Sequence, residues 1–239
     1  NGEPRRTMRA AVFGARRPTL ARAAAVRMAI TGPAPSGVNM LPVWEQAAVF
    51  GGTLVAISVG ALVLTALLSA AERALPGTFK GWKSTWPLLG AVFLAAGITH
   101  FSFHGAYEAI YPPQGTWGVW QLPGSAEFHV AWTGVAEIAG GAGLLIGAAA
   151  DALGFARLRW LKPSSAACLA ALTLAVTPAN VYMYTHGAMM DGLPGPPVDG
   201  PIPVSAHFAR FALQAVLLAL LAGMARDASS GPVDDELSA

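Results

Sequence analysis

Charge is scarce in this chain: 12% of its 239 residues are Asp, Glu, Lys or Arg, about half the roughly 25% share of soluble domains. That shortage excludes an ordinary water-facing surface. Cysteine is scarcer still. Cys168 stands alone, which excludes an intramolecular disulfide, a paired-thiol redox motif and a cysteine metal cluster. Set in an apolar helix, it reads as a buried free thiol. The chain also lacks a nucleotide-binding glycine loop, an HExxH pair and a serine-histidine-acid set that its topology would assemble, so hydrolase classes drop out.

The basic charge is unevenly spread. Seven of the fifteen Lys and Arg (Arg5, Arg6, Arg9, Arg16, Arg17, Arg22 and Arg27) precede residue 29, against one acid, Glu3; from Ala29 onward 8 basic residues face 12 acidic ones, net −4. The basic pI therefore describes the leader. It offers no basic face on the folded body, and nucleic acid is excluded as a partner. Residues 1–28, rich in Arg and Ala and nearly free of acids, have the composition of an organelle-targeting leader or a retained basic arm. Val26-Arg27-Met28-Ala29 resembles the processing site of plastid transit peptides in algae with complex plastids, and Ala11-Val12-Phe13 their aromatic start. The start at Asn1 rather than Met fits an expected upstream signal. A mitochondrial presequence, also rich in Arg, is the competing reading.

What is abundant is apolar: 54% of residues are hydrophobic. Five stretches approach the ~20 residues needed to cross a ~30 Å hydrocarbon core: Gln46–Ala71, Trp86–Phe103, Phe128–Ala150, Ala166–Tyr184 and Ala206–Met224. The expected fold class is an all-α integral membrane protein. Its segments are a leader (1–28), an N-terminal part with one transmembrane helix (29–85), a four-helix domain (86–225) and an acidic tail (226–239).

The loops between these stretches alternate in charge. Glu72–Thr85 and Asp151–Ser165 are each net +2, while the loops with Glu108 and Glu127, and with Asp191 and Asp199, have no Lys or Arg. The positive-inside rule then puts the basic loops and the C-terminus on the cytoplasmic, stromal or matrix side. All seven Trp fall near helix ends in this frame and are expected to form aromatic belts. The two acidic-side loops, with Tyr111-Pro112-Pro113, Trp117 and Trp120 in one and five prolines between Gly187 and Val204 in the other, are expected to form a cap.

All five histidines, His100, His104, His129, His186 and His207, fall on that acidic side. His100 and His104, four apart, are expected on one helix face, a spacing suited to a metal or to an axial nitrogen for a macrocycle. The plainer reading is interfacial imidazoles hydrogen-bonding the cap. Inside the apolar stretches stand Glu137, Asn180, Arg210 and Gln214. Ionisable groups at such depth face the bundle interior and pair, so Glu137 with Arg210 is the expected ion pair. It is either a structural clamp or a polar lining for a quinone headgroup or pigment. Pro178 frees a carbonyl one turn earlier, and Gly143 and Gly147 are spaced for close helix approach.

Several segments, in order, resemble the successive motifs of DoxX-like membrane proteins. They are Ala96-Gly97-Ile98-Thr99-His100-Phe101, Tyr107-Glu108-Ala109-Ile110-Tyr111-Pro112-Pro113, Thr133-Gly134-Val135-Ala136-Glu137-Ile138 with Gly141-Ala142-Gly143-Leu144-Leu145, Pro178-Ala179-Asn180-Val181-Tyr182-Met183 and Arg210-Phe211-Ala212-Leu213-Gln214. Thr133 stands where the family often has Ser. The resemblance implies a four-helix DoxX-like bundle, here with one additional N-terminal transmembrane helix, and an enzymatic relative that reduces quinone. The added helix, leader and enlarged loops point instead to docking. The expected function is a non-catalytic accessory subunit among membrane lipid and other membrane subunits. An algal thylakoid photosystem core with its antenna proteins is the first setting, with chlorophyll and carotenoid as compatible pigments. The alternatives are a quinone-reducing oxidoreductase and an accessory subunit of a mitochondrial inner-membrane respiratory complex.

Overall fold

The computed structural model describes residues 32–193 and 200–227. The leader at 1–28 and the tail beyond Asp227 lie outside the described residues. The unit Pro33–Ala239 holds every helix among them.

Five helical spans, Val43–Ala74, Lys80–Ser102, Ala126–Leu153, Ala156–His186 and Val204–Arg226, are long and apolar enough to cross a membrane, as an integral membrane protein requires. They contain α1 (Val43–Ala74), the short α2 (Lys80–Lys83), α3 (Leu89–Ser102), α5 (Ala126–Leu153), α6 (Leu161–Ala175), α7 (Thr177–His186) and α8 (Val204–Asp227); α4 (His104–Ala109) lies between the second and third spans. Each expected stretch overlaps one span, but the second and fourth spans begin earlier than expected, at Lys80 rather than Trp86 and at Ala156 rather than Ala166. No strand occurs among the described residues.

Local chemistry sets several boundaries. Ser125 opens α5 by accepting the Phe128 N–H at 3.1 Å, and Gly154 closes it with φ 76°, the capping chemistry favoured at each end. Pro178 has no N–H to give Leu174, so the fourth span breaks into α6 and α7 at Val176.

α5 packs on α3 and α6, α6 also on α8, and α8 on α1. Phe93, Leu144, Leu169 and Leu221 bring α3, α5, α6 and α8 into one core. A second core joins Ile57 and Ala61 of α1 to Tyr182, Met183, Phe211 and Leu218. Glycines set the closest approaches. A Cβ on Gly97 would lie 2.7 Å from the Gly134 carbonyl oxygen, and one on Gly90 2.6 Å from that of Gly141. Gly90 and Gly97, like Gly134 and Gly141, are seven residues apart, about two turns, so two glycine pairs form the α3–α5 seam. Gly143 and Gly147 do allow close approach, against Ser165 and Lys162 of the α6 side.

Two expectations are corrected. Cys168 is exposed on α6, because Ala166 and Leu169 take the buried positions of that helix. The seven Trp do not all form belts: Trp44, Trp82, Trp132 and Trp160 are exposed, but Trp86 and Trp117 are 4% and 2% exposed and serve as core.

Candidate functional site

The polar residues inside the spans sort into two places. The first joins α6, α7 and α8. Asn180 Nδ2 donates to Gln214 Oε1 at 3.3 Å, and Gln214 Nε2 donates to the Thr173 carbonyl at 3.2 Å and to Thr177 Oγ1. Arg210 donates to Met183 Sδ at 2.9 Å and to Asn180 Oδ1 at 3.5 Å. Every amide group of Asn180 and Gln214 thus ends on another helix. Thr177 in turn donates to the Thr173 carbonyl at 2.8 Å. The acceptor is thus the Thr173 carbonyl and not the neighbouring Leu174 carbonyl, which is the one Pro178 leaves without its N–H. Thr173 and Thr177 were not singled out from sequence; two threonines four apart, the second just before a proline, were the available signal.

The second place lies between α3 and α5. Glu137 Oε2 stands 3.3 Å from His100 Nδ1, and that nitrogen is 3.0 Å from the Ala96 carbonyl. The carbonyl takes the Nδ1 proton, so Glu137 Oε2 is buried without a hydrogen bond. Glu137 and Arg210 therefore do not pair. The expected ion pair fails because α6 stands between their helices: α5 turns Glu137 toward α3, and α8 turns Arg210 toward α7.

His100 and His104 also part company. Phe103, at φ −127° and ψ 39°, ends α3 and precedes α4, so the two histidines belong to different helices rather than to one face. The His100 ring stacks on Tyr107 at 3.8 Å between centroids. Thr99 donates to the Ala96 carbonyl at 2.6 Å, which leaves the Tyr107 hydroxyl to donate to Thr99 Oγ1, also at 2.6 Å. Burial pushes the Tyr107 phenol above its ordinary value of 10.0; the Thr99 bond opposes this and the nearby Glu137 adds to it. His104 puts Nδ1 3.2 Å from the His100 carbonyl and Nε2 3.4 Å from Glu108 Oε1.

The other three histidines hold the cap. His129 stacks on Tyr111 at 5.1 Å; its Nε2 donates to the Pro123 carbonyl at 2.8 Å while Nδ1 accepts from Trp132 Nε1 at 3.0 Å. Both nitrogens are engaged, leaving no lone pair for a metal. His186 Nδ1 meets Thr185 Oγ1 at 2.8 Å, and its ring lies against Trp117 and Tyr182. His207 is 2% exposed against Tyr184 and Phe211, with Nδ1 unpartnered. Among the described residues no group of three His, Cys, Asp or Glu is placed to hold a metal ion.

Trp117 is the centre of the cap. It stacks on Phe50 of α1 at 4.2 Å and 9°, meets Trp120 and Tyr182 edge-on and donates Nε1 to Thr185 Oγ1 at 3.0 Å. It does so at φ 54°, a left-handed conformation costing about 1–2 kcal/mol in a non-glycine residue. Burying the indole with its N–H satisfied offsets that strain. The expected cap is present in this loop; of the proline-rich loop, residues 194–199 lie outside the described residues.

The arrangement clamps helices and seals one end of the bundle, and it leaves one buried acid beside an imidazole. No curated protein and no solved structure matches the chain. A family model described as "Domain of unknown function (DUF8561)" matches residues 89–225, from the first residue of α3 nearly to the end of α8. That match covers more than half of the chain, which belongs to the DUF8561 family.

Proposed function

We propose that this chain is a non-catalytic accessory subunit of a larger membrane complex and acts by contact. The observation that carries the reading is α1. It precedes the region shared with the family and runs for 32 residues; its most apolar 18-residue window has a mean hydropathy of 2.4, yet only 11% of that window is buried, against 44% for the corresponding window of α5. Ile57, Ala61 and Thr65 form its buried stripe, while Val55, Val59, Leu62, Val63 and Leu67 remain exposed. A long apolar helix added outside the shared domain, attached by one stripe, suits a partner's transmembrane surface. The clamp around Gln214 supports the same reading, since its polar groups satisfy one another.

In its finer form the proposal is a DoxX-like four-helix bundle with an added N-terminal helix, placed in an organellar membrane. An algal photosystem–antenna supercomplex is the first setting and a mitochondrial respiratory complex the second. If a chlorophyll is held, His104 fits best. Its side chain is 31% exposed, against 8% for His100, and its Nε2 faces the Glu108 carboxylate at 3.4 Å. The imidazole would supply the axial nitrogen that the magnesium wants. The composition of the particle purified in mild detergent tests the setting. Pigments and antenna proteins in fixed ratio to the chain support the photosystem, haem and respiratory subunits the second setting; a chain that purifies alone contradicts both.

A second reading, a DoxX-like oxidoreductase passing electrons to quinone, draws on Glu137 Oε2, an unpartnered buried acceptor near His100 and Tyr107. Quinone-dependent oxidation lost in Glu137→Gln would favour it.

A further inference from the structure

Among the described residues, Arg210 is a cation inside a membrane span without a counter-charge. It stands six residues beyond Val204, the first residue of α8, or about 9 Å down the helix at ~1.5 Å per residue. None of the ion pairs includes it. Its two acceptors, Met183 Sδ at 2.9 Å and Asn180 Oδ1 at 3.5 Å, are neutral, and both are reached from Nη1. We propose that a carboxylate on a transmembrane helix of a partner subunit completes this site, meeting Arg210 from the lipid side of α8. The proposal rests on the accessory-subunit reading and gives the partner its chemistry.

A guanidinium carries its N–H donors in a planar fork matched to a carboxylate. With Nη1 spent on a thioether and an amide oxygen, Nη2 and Nε keep theirs. Neither nitrogen is among the buried polar atoms that lack a partner, so both open at the surface of the bundle. An arginine near a helix end ordinarily lifts its head to the membrane boundary. Arg210 is instead tied level with Met183 and Asn180, three and six residues inside the end of α7 at His186, and Asn180 is fixed in turn by Gln214 at 3.3 Å. The C-terminal dipole of α7 offsets part of the charge and the N-terminal dipole of α8 opposes it; neither supplies a full negative charge.

The flank that carries Arg210 is open. Ala206 and Leu213, four residues before it and three after, share its face of α8; Ala206 is exposed and Leu213 is 68% exposed. α1 covers a different flank: Gly60 approaches Ala215, and five residues at ~100° each put Ala215 about 140° around the helix from Arg210. The site is therefore separate from the exposed face of α1. Charge selects its occupant. A wholly apolar helix laid on this stripe would leave the guanidinium uncompensated in a dry interface, whereas an Asp or Glu meets it with two parallel charge-assisted hydrogen bonds.

The test places p-benzoylphenylalanine at Leu213 in the full chain, irradiates native membranes, extracts them in mild detergent and maps the crosslinked peptide by mass spectrometry. The expected peptide is a transmembrane helix of another subunit with an Asp or Glu within about a turn of the crosslink. Arg210→Gln should lower the amount of chain eluting with the complex roughly tenfold or more, as removal of one member of a buried ion pair does, while the isolated variant melts no lower than the wild type. Arg210→Glu should fail likewise and be rescued by Lys at the mapped partner acid. A crosslink to lipid, to a second copy of this chain or to a helix without a carboxylate overturns the proposal. So does an Arg210→Gln chain that co-elutes as the wild type does, or one whose isolated form melts lower, which would make Arg210 a clamp within the bundle. A wild-type chain that elutes alone refutes the accessory-subunit reading and this proposal with it; co-elution with no carboxylate beside Leu213 refutes this proposal only.

Discussion

Replacing Gln214 by Leu tests whether the layer on α6, α7 and α8 is a clamp. The substitution roughly keeps the side-chain length and removes three hydrogen bonds, to Asn180, to the Thr173 carbonyl and to Thr177. Side-chain hydrogen bonds between transmembrane helices average about 0.6 kcal/mol each, so the expected loss is about 2 kcal/mol. Few groups are left stranded: Thr177 still donates to Thr173, and Asn180 Oδ1 still accepts from Arg210. At 1.4 kcal/mol per tenfold, the unfolded-to-folded ratio should rise roughly 30-fold. Unfolding in mixed micelles of rising SDS content measures it, and a double-mutant cycle with Asn180→Leu should return a coupling of about 0.6 kcal/mol. A stability within a few tenths of wild type together with zero coupling would refute the clamp.

Gly97→Ala should cost about 1–3 kcal/mol as overpacking, because its Cβ would meet the Gly134 carbonyl and Ile138 at 2.7 Å. Gly52→Ala on α1, with nothing within 4 Å, should be neutral or stabilising; equal melting points for the two would remove the seam. Trp117→Phe keeps a ring against Phe50 but removes the bond to Thr185, with an expected loss of about 1–3 kcal/mol and faster proteolysis of the loop around residue 117; unchanged cleavage would dissociate Trp117 from cap stability. The Tyr107 phenol, raised above 10.0 chiefly by burial, should ionise late in an ultraviolet titration, and the late phase should lose one phenol's absorbance in Tyr107→Phe. Below the ordinary value both folded and unfolded chains keep this proton. Above it the unfolded chain releases it first, so Tyr107 makes stability fall as pH rises past 10; ionisation of Tyr107 at its ordinary value would contradict the packing.

The spans were legible in the sequence because a membrane helix announces itself by length and apolarity, a local property. The cap around Trp117 was legible as well, since prolines and aromatics between spans have no reason to cluster in a flexible linker. Pairing was not legible. Glu137 and Arg210 lie at comparable depth, but which way each side faces depends on helix order around the bundle, and α6 between α5 and α8 sends them apart. The break between His100 and His104 escaped for a related reason: apolar periodicity continues through Phe103 while the backbone does not. Trp86 and Trp117 sit where belt residues sit in sequence, and only packing distinguishes an indole turned to lipid from one turned to the core. Likewise, the outward face of Cys168 depends on which stripe of α6 meets its neighbours.

The central claim, that the chain works by contact through α1, is tested most directly by purifying it from native membranes in mild detergent with Val59 and Leu62 replaced by Ser. Both residues lie on the exposed face of α1, away from the Ile57–Ala61–Thr65 stripe. The account predicts that the wild-type chain elutes in fixed stoichiometry with a larger membrane complex, and that the variant remains folded, keeps its melting point and elutes apart from it. A wild-type chain that elutes alone and turns over quinone, with turnover lost in Glu137→Gln, would contradict it.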